Sequence, residues 1–179
     1  MEERKTIVGE KVLLRPITRE DTPRIVRWRN TPSVRENFIF RETFTEEMHE
    51  HWLDTKVASG EVIQYIIVDK SENKPVGSIY FRDVNRKNRS AEYGLFIGEE
   101  SARGKGLGKE AIRLFTDFGF EEIGLHRISM RVLSDNDASI ITNEKVGFMR
   151  EGVFRDMEYL DGQYRDVIFM AKINQERET

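Results

Sequence analysis

The sequence predicts an α/β fold with a mixed, mostly antiparallel central sheet and helices packed on it. Along the 179 residues, apolar runs of strand length are separated by segments in which apolar residues recur every three or four positions, which is the period of an amphipathic helix. Two pairs of these runs are joined by short polar turns, which favours antiparallel hairpins. Two other runs flank one long helical segment, and a crossover of that kind makes its two strands parallel.

The N-terminal third of the chain predicts one strand and two helices. The strand lies at residues 11–17 and the first helix at 18–30, where Thr18 offers an N-cap. Pro32 ends that helix, because the residue before a proline disfavours helical geometry. A second helix begins near Thr45. Its outer face carries four carboxylates: Glu46, Glu47, Glu50 and Asp54. We interpret these acids as a solvated face; the alternative is that some of them attract a cationic substrate.

The rest of the chain predicts six more strands and two more helices, which makes about seven strands and about four helices in all. The strands are at residues 62–68, 75–84, 91–97, 127–133, 148–160 and 164–173, and the helices at 106–122 and 137–145. No repeat, low-complexity tract or linker interrupts the chain. We therefore expect a single domain over residues 1–179, with its core at 11–173 and a polar tail at 174–179.

Composition excludes several classes of function. The formal net charge of −3 and the isoelectric point near 5.8 give no general attraction to nucleic acid or to an anionic membrane. The chain has no Cys, which excludes disulfides, thiolate metal sites and cysteine nucleophiles. His49 and His51 stand two apart on a predicted helix and point to nearly opposite sides, so we expect no shared metal ion. With no long apolar run and no apolar signal segment, we expect a cytoplasmic protein that engages neither nucleic acid nor membrane.

A glycine-rich loop organises the centre of the chain. It reads Arg103-Gly104-Lys105-Gly106-Leu107-Gly108 and joins the strand at 91–97 to the helix at 106–122. The first backbone N–H groups of a helix have no intrahelical partner and carry partial positive charge, and glycines let an anion approach them. The spacing is neither that of a P-loop nor G-x-G-x-x-G. A bare turn with solvated cations is the alternative, and the flanking strand and helix favour a phosphate site.

Two blocks of the sequence together resemble one family. The loop pattern Arg-x-x-Gly-x-Gly is similar to the pyrophosphate-binding signature of the GNAT superfamily, the acyl-CoA-dependent N-acyltransferases. Residues 132–148, which end in Asn143-Glu144-Lys145-Val146-Gly147-Phe148, resemble the segment that usually follows in that superfamily. The resemblance covers about residues 11–173. It implies an N-acetyltransferase that moves the acetyl group of acetyl-CoA to a primary amine, by direct attack in a ternary complex and without a metal. Relatives are often dimers, so a homodimer is also implied.

The resemblance further implies where acetyl-CoA binds. The strands at 91–97 and 127–133 are expected to splay apart, so that the pantetheine arm pairs with the exposed backbone of the first strand while the loop holds the pyrophosphate. The residues that it assigns to the cofactor are Phe96, Ile97, Gly98, Arg103, Gly104, Lys105, Gly106, Leu107, Gly108, Lys109, Asn136, Ser139 and Asn143. Asn136 can also cap the helix that follows it, and the two roles can coexist.

The same resemblance places the chemistry, and part of the substrate site, at Glu92. A protonated primary amine has a pKa of about 10, so the reaction needs a proton acceptor, and similar enzymes use a carboxylate at this point of the strand. The alternative role of Glu92 is a structural ion pair with a nearby Arg. A backbone N–H near Ile97 is expected to stabilise the carbonyl oxygen. Many relatives carry Tyr where this chain has Asn143, and an amide cannot protonate the departing sulfur. Either the thiolate leaves unaided, or a hydroxyl such as that of Ser139 or Tyr159 substitutes.

The acceptor side leaves several classes of amine open. Residues 28–35 resemble a segment of acetyltransferases that modify amino groups on nucleotide-linked sugars, which assigns Arg29 and Asn30 to the substrate. Arg29 and Arg35 would then bind phosphates, or else they are surface charges. Residues 162–166 resemble the last hairpin of spermidine acetyltransferases and of the ribosomal-protein group. A small amine or an amino-sugar nucleotide is favoured over a polyamine and a protein N-terminus. A non-catalytic CoA-binding module is the rival from another class, because the usual Tyr is missing.

Overall fold

The computed structural model describes residues 4–175, which form one mixed sheet of eight strands with helices on both faces. The strands are β1 (Ile7–Val8), β2 (Val12–Pro16), β3 (Ile63–Asp69), β4 (Lys74–Asn85), β5 (Ser90–Ile97), β6 (Arg127–Leu133), β7 (Met149–Leu160) and β8 (Gln163–Ile173). Their order across the sheet is β1-β2-β3-β4-β5-β6-β8-β7, and of these neighbours only β5 and β6 run parallel. The predicted mixed, mostly antiparallel sheet is confirmed.

Five α-helices cover the two faces of this sheet in the described part of the chain. They are α1 (Thr22–Asn30), α2 (Pro32–Arg35), α3 (Glu46–Trp52), α4 (Leu107–Glu121) and α5 (Asp137–Lys145). A π-helical turn at Leu53–Val57 extends α3, and 3₁₀ turns lie at Arg19–Asp21 and Glu100–Ala102. Helices α1 to α3 pack on one face, and α4 and α5 on the other. Over residues 4–175, no helix has the length and apolar character needed to cross a membrane.

Two short elements are not predicted by the apolar periodicity of the sequence. Strand β1 has two residues, too few to show alternation, and it pairs with β2 so that Ile7 lies opposite Leu14. Pro32 ends α1, as predicted, but it also opens α2, because proline suits the first position of a helix. The predicted counts are therefore one strand and one helix short. Of the predicted polar tail, residues 176–179 lie outside the described residues.

Apolar clusters on both faces of the sheet hold β5 in place. Helix α4 presents one apolar stripe, in which Phe115 stacks on Phe81 of β4 with ring centroids 4.2 Å apart. On the opposite face, Trp28 of α1 packs edge-on against Phe96 of β5. Because successive side chains of a strand point to opposite faces, Ile97 packs instead on the α4 side. Each face of β5 is thus fixed by a different set of helices.

Strands β5 and β6 pair only where they begin. Three residue pairs join them: Ser90 with Arg127, Ala91 with Ile128, and Glu92 with Ser129. Beyond these pairs β5 stays bonded to β4 as far as Ile97, and β6 stays bonded to β8 as far as Leu133. A wedge-shaped gap therefore opens between the two strands, and this geometry matches the splay implied by the resemblance.

Candidate active site

The gap between β5 and β6 belongs to a cavity of about 1110 Å³. Its wall includes both strands, the N-terminus of α4 and part of α5 on one face of the sheet. On the other face it includes parts of α1 to α3 and of the loop between α2 and α3. Aromatic rings line that second part: Phe38, Phe40, Phe44, Trp52 and Tyr80. The cavity therefore connects a helix terminus on one face to an aromatic chamber on the other.

The glycine-rich loop leaves the N-terminus of α4 open. Gly104 and Gly106 have φ of +73° and +82°, a left-handed conformation that favours glycine, and Gly106 is the N-cap of α4. A glycine N-cap has no side chain that could satisfy the first N–H groups of the helix. Gly108 has an ordinary backbone, and a Cβ there would lie 3.7 Å from Ile97, a normal contact. The turns of the loop thus require glycine at positions 104 and 106. At position 108 the lack of a side chain leaves the N-terminus of α4 uncovered.

The cations around the loop differ in where they point. The Arg103 guanidinium donates to the Ile97 carbonyl oxygen at 3.0 Å and to Ser33 Oγ of α2 at 3.2 Å, and it lines the cavity, as does Lys109. Lys105 pairs instead with Glu72 at 3.3 Å and is not part of the cavity wall.

A further lysine lies near the loop but is not part of the sequence motif. The Nζ atom of Lys11 donates to the Lys105 carbonyl oxygen at 3.4 Å, and it would lie 3.7 Å from a Cβ at Gly106. This cation comes from the N-terminal region of the chain, 94 residues away, so a local pattern cannot include it.

Four residues that the resemblance assigns to the cofactor lie at the end of β5 and the start of α4, and three of them line the cavity. Phe96, Ile97 and Leu107 line the cavity, although the Leu107 side chain is buried in the core. Gly98 does not line it. The Gly98 N–H donates to the Val76 carbonyl oxygen at 2.8 Å, and a Cβ at this glycine would lie 2.1 Å from the Trp28 ring. Gly98 is therefore required by close packing with Trp28, and its amide is not available to a cofactor.

Asn136, Ser139 and Asn143 are joined by hydrogen bonds along α5. The Asn136 Oδ1 atom accepts from the Ser139 N–H at 3.1 Å, so Asn136 caps the helix while it also lines the cavity. Asn143 is 2% exposed. Its Nδ2 donates to the Ser139 carbonyl oxygen at 2.9 Å, and its Oδ1 accepts from the Tyr93 hydroxyl. Asn143 is thus held on both sides by protein groups.

Tyr93 is a cavity residue that the sequence motifs do not single out. Burial raises the pKa of its hydroxyl, while the hydrogen bond to Asn143 acts in the opposite direction. Its only sequence signal is its place next to Glu92, which puts the two side chains on opposite faces of β5. Of the two hydroxyls considered as substitutes for the missing family Tyr, Ser139 lines the cavity, whereas Tyr159 is 64% exposed on β7 and does not.

Glu92 lines the cavity and forms ion pairs on both sides. Arg82 lies opposite it on β4 and donates to Oε1, and Arg131 of β6 donates to both carboxylate oxygens at 3.1 and 3.2 Å. The structural ion pair considered as an alternative role therefore exists. The carboxylate also remains on the cavity wall, so the pair does not remove it from the site.

Tyr80 links this ion-pair cluster to the aromatic chamber. It lies opposite Gly94 in the β4–β5 register, and a Cβ at Gly94 would come within 2.4 Å of its hydroxyl oxygen. Gly94 therefore makes room for the ring. Burial raises the pKa of the Tyr80 hydroxyl, and the nearby guanidinium groups of Arg82 and Arg29 act in the opposite direction. Tyr80 is thus within electrostatic reach of both arginines.

Of the three polar residues proposed for the acceptor from residues 28–35, only Arg29 lines the cavity. Its guanidinium carbon lies 3.7 Å from the Phe38 ring centroid and 4.9 Å from that of Phe44. The Asn30 amide is used by the Phe44 backbone, donating to its oxygen at 2.8 Å and accepting from its N–H at 2.9 Å. Arg35 is exposed and donates to the Arg41 carbonyl oxygen. Asn30 and Arg35 therefore shape the α2–α3 loop and are not brought to the cavity.

The acidic face of α3 points away from the cavity. Glu50 and Asp54 both pair with Arg19, and none of the four carboxylates of this helix region lines the cavity. This agrees with the solvated face that the sequence favours.

His49, on the inner side of α3, is buried. Its Nδ1 lies 2.8 Å from Thr22 Oγ1, and its Nε2 is buried without a hydrogen-bond partner among the described residues. Burial lowers the pKa of His49 to about 4. His51 is exposed. Over residues 4–175, no three His, Asp or Glu side chains converge as ligands for a metal ion.

Residues 11–149, more than half of the chain, match the family model of the acetyltransferase (GNAT) domain. The protein belongs to this family and is an N-acetyltransferase.

Individual relatives share most of the chain. The spermidine N(1)-acetyltransferase of Escherichia coli K12 is 29% identical over 91% of this chain and 86% of its own length. The spermidine N-acetyltransferase of Vibrio cholerae, solved with CoA and spermine, superposes with a TM-score of 0.86 at 22% identity, over 92% of this chain and 96% of that one. The ribosomal-protein-S5-alanine acetyltransferase of Vibrio fischeri gives a TM-score of 0.84 at 23% identity, over 98% and 100%.

Proposed function

We propose that this protein transfers the acetyl group of acetyl-CoA to a primary amine of a small molecule while both are bound. The observation that carries the proposal is the gap between β5 and β6, which joins the open N-terminus of α4 to the chamber at Glu92 and Arg29. One end of this cavity suits a phosphate, and the other suits a polar acceptor.

The residues at the loop fit the cofactor. The uncapped N–H groups of α4 and the Arg103 and Lys109 side chains would hold its phosphates. The backbone of β5 beyond Glu92 is not bonded to β6, so it can pair with the amides of the pantetheine arm. Asn136 and Ser139 line the same wall. When bound, acetyl-CoA supplies an activated thioester.

The chain's own residues account for the other requirements of the reaction. We assign Glu92 the task of drawing the proton from the amine, through a water molecule, because Arg82 and Arg131 already occupy its oxygens. We assign the stabilisation of charge on the carbonyl oxygen to a backbone N–H near Ile97, as the resemblance implies. A thiol has a pKa of about 8.5, so its thiolate leaves without much help, and the Ser139 and Tyr93 hydroxyls lie on the same cavity wall.

The setting of the reaction is part of the proposal. We place the protein in the cytoplasm, with neither nucleic acid nor membrane as a partner. We also expect a homodimer. Several apolar side chains are exposed along β7, at the edge of the sheet, and would suit such a contact: Met149, Val153, Phe154 and Met157. Light scattering of the purified protein tests this state.

The proposal is tested by measuring free thiol released from acetyl-CoA in the presence of a panel of amines. The panel contains spermidine, amino acids, amino sugars, an amino-sugar nucleotide and a peptide with a free N-terminus. We expect steady release with at least one small amine, above the rate of hydrolysis without amine. Tight binding of acetyl-CoA by calorimetry with no release for any amine would instead identify a non-catalytic CoA-binding module. Release with the peptide alone would identify a protein N-terminal acetyltransferase.

A further inference from the structure

The charged side chains that line the cavity are nearly all cations. Among the described residues on its wall, six are basic: Arg29, Arg82, Arg103, Lys109, Arg131 and Lys145. Glu92 is the single carboxylate on this wall. The net charge of the protein is −3, so the cavity has the opposite sign to the molecule as a whole. A cavity lined by one sign of charge concentrates ligands of the other sign.

The cofactor does not account for all of this positive charge. Arg103 lies in the glycine-rich loop and Lys109 in the first turn of α4, beside the proposed phosphate site. The chamber on the other face of the sheet contains Arg29, Arg82 and Arg131 against the one carboxylate of Glu92. Arg82 has a second, exposed partner in Asp83 at 3.9 Å. The three guanidinium groups thus face two carboxylates, which leaves one positive charge in excess where the acceptor must bind.

Arg29 is the guanidinium in this chamber without an acidic partner. Among the described residues it makes no ion pair or hydrogen bond, and its contacts are the faces of Phe38 and Phe44. Burial lowers the pKa of Arg29 below its ordinary value. A partly buried cation is costly without a counter-charge, and cation–π contacts offset part of that cost. The guanidinium is therefore fixed on two rings with its donors free.

We propose that the acceptor is a small-molecule amine that also carries an oxyanion, a carboxylate or a phosphate, and that Arg29 binds this oxyanion while Glu92 faces the amine. The inference rests on the proposed function for the amine itself. A guanidinium suits either oxyanion, because its planar donors match both geometries. A polyamine carries only positive charge and would meet an excess of the same sign in this chamber.

His49 adds a second polar group to the same wall. Its Nε2 is buried without a partner among the described residues, and its Nδ1 lies 2.8 Å from Thr22 Oγ1. When the Thr22 hydroxyl donates to Nδ1, Nε2 carries the ring hydrogen and is a donor. A buried donor of this kind calls for an acceptor, and an oxyanion held near Arg29 would supply one.

The experiment uses pairs of amines that differ in the oxyanion. Lysine is compared with cadaverine for the carboxylate, and O-phosphoethanolamine with ethanolamine for the phosphate. Two quantities are measured: kcat/KM from thiol release, and binding to the CoA-saturated protein by calorimetry. In at least one pair, we expect the anionic amine to exceed its partner at least tenfold in both kcat/KM and affinity. The pair with the larger ratio shows whether the site prefers a carboxylate or a phosphate.

Substitution of Arg29 ties the preference to this residue. Arg29→Met keeps the length of the side chain on the rings but removes the charge. It should lower binding and kcat/KM for the preferred anionic amine by roughly 10- to 100-fold, the usual effect of losing a charge-assisted hydrogen bond. The same two quantities should change by less than threefold for the partner amine that lacks the oxyanion. Arg113→Met is the matched control, since Arg113 is exposed on α4 and does not line the cavity.

Two results would overturn the inference. One is that neither lysine nor O-phosphoethanolamine binds better than its partner, or that spermidine binds as well as the better of these two anionic amines. The other is an equal loss for both members of a pair in Arg29→Met, which would make Arg29 a support for the rings alone. If no amine releases thiol, the proposed function fails separately, and the calorimetric ratios still decide the oxyanion preference.

Discussion

Asn143 lines the cavity, and its hydrogen-bond partners predict what its loss would do. In Asn143→Ala the buried Tyr93 hydroxyl loses its acceptor, which should lower the free energy of unfolding by about 1–3 kcal/mol. Since an amide cannot supply a proton to sulfur, most of kcat should remain. Urea denaturation and steady-state kinetics measure the two effects, with the exposed Asn88→Ala as control. A thousandfold loss of kcat in a folded Asn143→Ala would show that this amide takes part in the chemistry.

Glu92→Gln tests the proton acceptor. Gln keeps the shape of the side chain but cannot take a proton as a carboxylate does, so kcat/KM should fall by ~100- to 10,000-fold, less if water takes over part of the role. The loss should shrink as pH rises from 6 to 10, because more of the amine is then already neutral. Affinity for acetyl-CoA should change little.

The control for this experiment is Glu151→Gln. Glu151 also pairs with an arginine, Arg127, on the same sheet, but it lies outside the cavity. If the pH profiles of wild type and Glu92→Gln run parallel, with a lower melting temperature, Glu92 serves only its ion pairs with Arg82 and Arg131.

At the scale of elements, the N-terminus of α4 allows a substitution that separates folding from binding. Gly108→Asp puts a carboxylate in the first turn of the helix, where it is favourable for the helix itself, and the backbone there needs no special conformation. It should therefore fold normally and lose measurable affinity for acetyl-CoA in calorimetry. Gly152→Asp is the matched control, because a Cβ at Gly152 meets nothing within 4 Å and β7 is remote from the loop. Unchanged affinity in a folded Gly108→Asp would refute the phosphate site.

The sequence predicts most elements but not how they come together. Apolar periodicity locates α4 and the hairpins, because those residues bury one face each. The two-residue β1 and the four-residue α2 are too short to show a period. The sequence likewise gives Arg29, Asn30 and Arg35 equal claim to the acceptor site. Only Arg29 reaches the cavity, because Asn30 is hydrogen-bonded to the backbone of Phe44 and Arg35 to that of Arg41. That choice depends on the α2–α3 loop, whose path no local pattern specifies.

At the scale of the whole molecule, charge is the property that composition describes least well. A net charge of −3 predicts no attraction for anions, whereas the cavity wall carries six basic side chains and one acidic one. These residues come from α1, β4, β5, β6, α4, α5 and the loop before α4, so their shared location follows only from the fold.

The stability of the whole fold should depend on pH through His49. Its pKa is about 4 in the folded protein against an ordinary 6.5, so between these values the unfolded chain binds a proton that the folded protein does not. The free energy of unfolding should therefore fall as pH falls from 6.5 to 4, by at most about 3 kcal/mol from this residue. Urea denaturation across this range should give a flatter dependence for His49→Gln than for wild type. Equal slopes in the two proteins would contradict the burial of a neutral His49.

Three residue pairs at the start of β5 and β6 are the only strand pairing between the two parts of the sheet in the described chain, and we infer that this junction acts as a hinge. Local opening there should cost less free energy than global unfolding, so amides at 93–97 and 130–133 should exchange with deuterium faster than those of β3. Acetyl-CoA at a hundred times its Kd should slow their exchange by up to about a hundredfold, and mass spectrometry of deuterated peptides would show it. Uniform slowing over the whole chain would contradict the hinge. Under the proposed function, the concentration of acetyl-CoA would therefore set how often this junction opens as well as how fast the enzyme turns over.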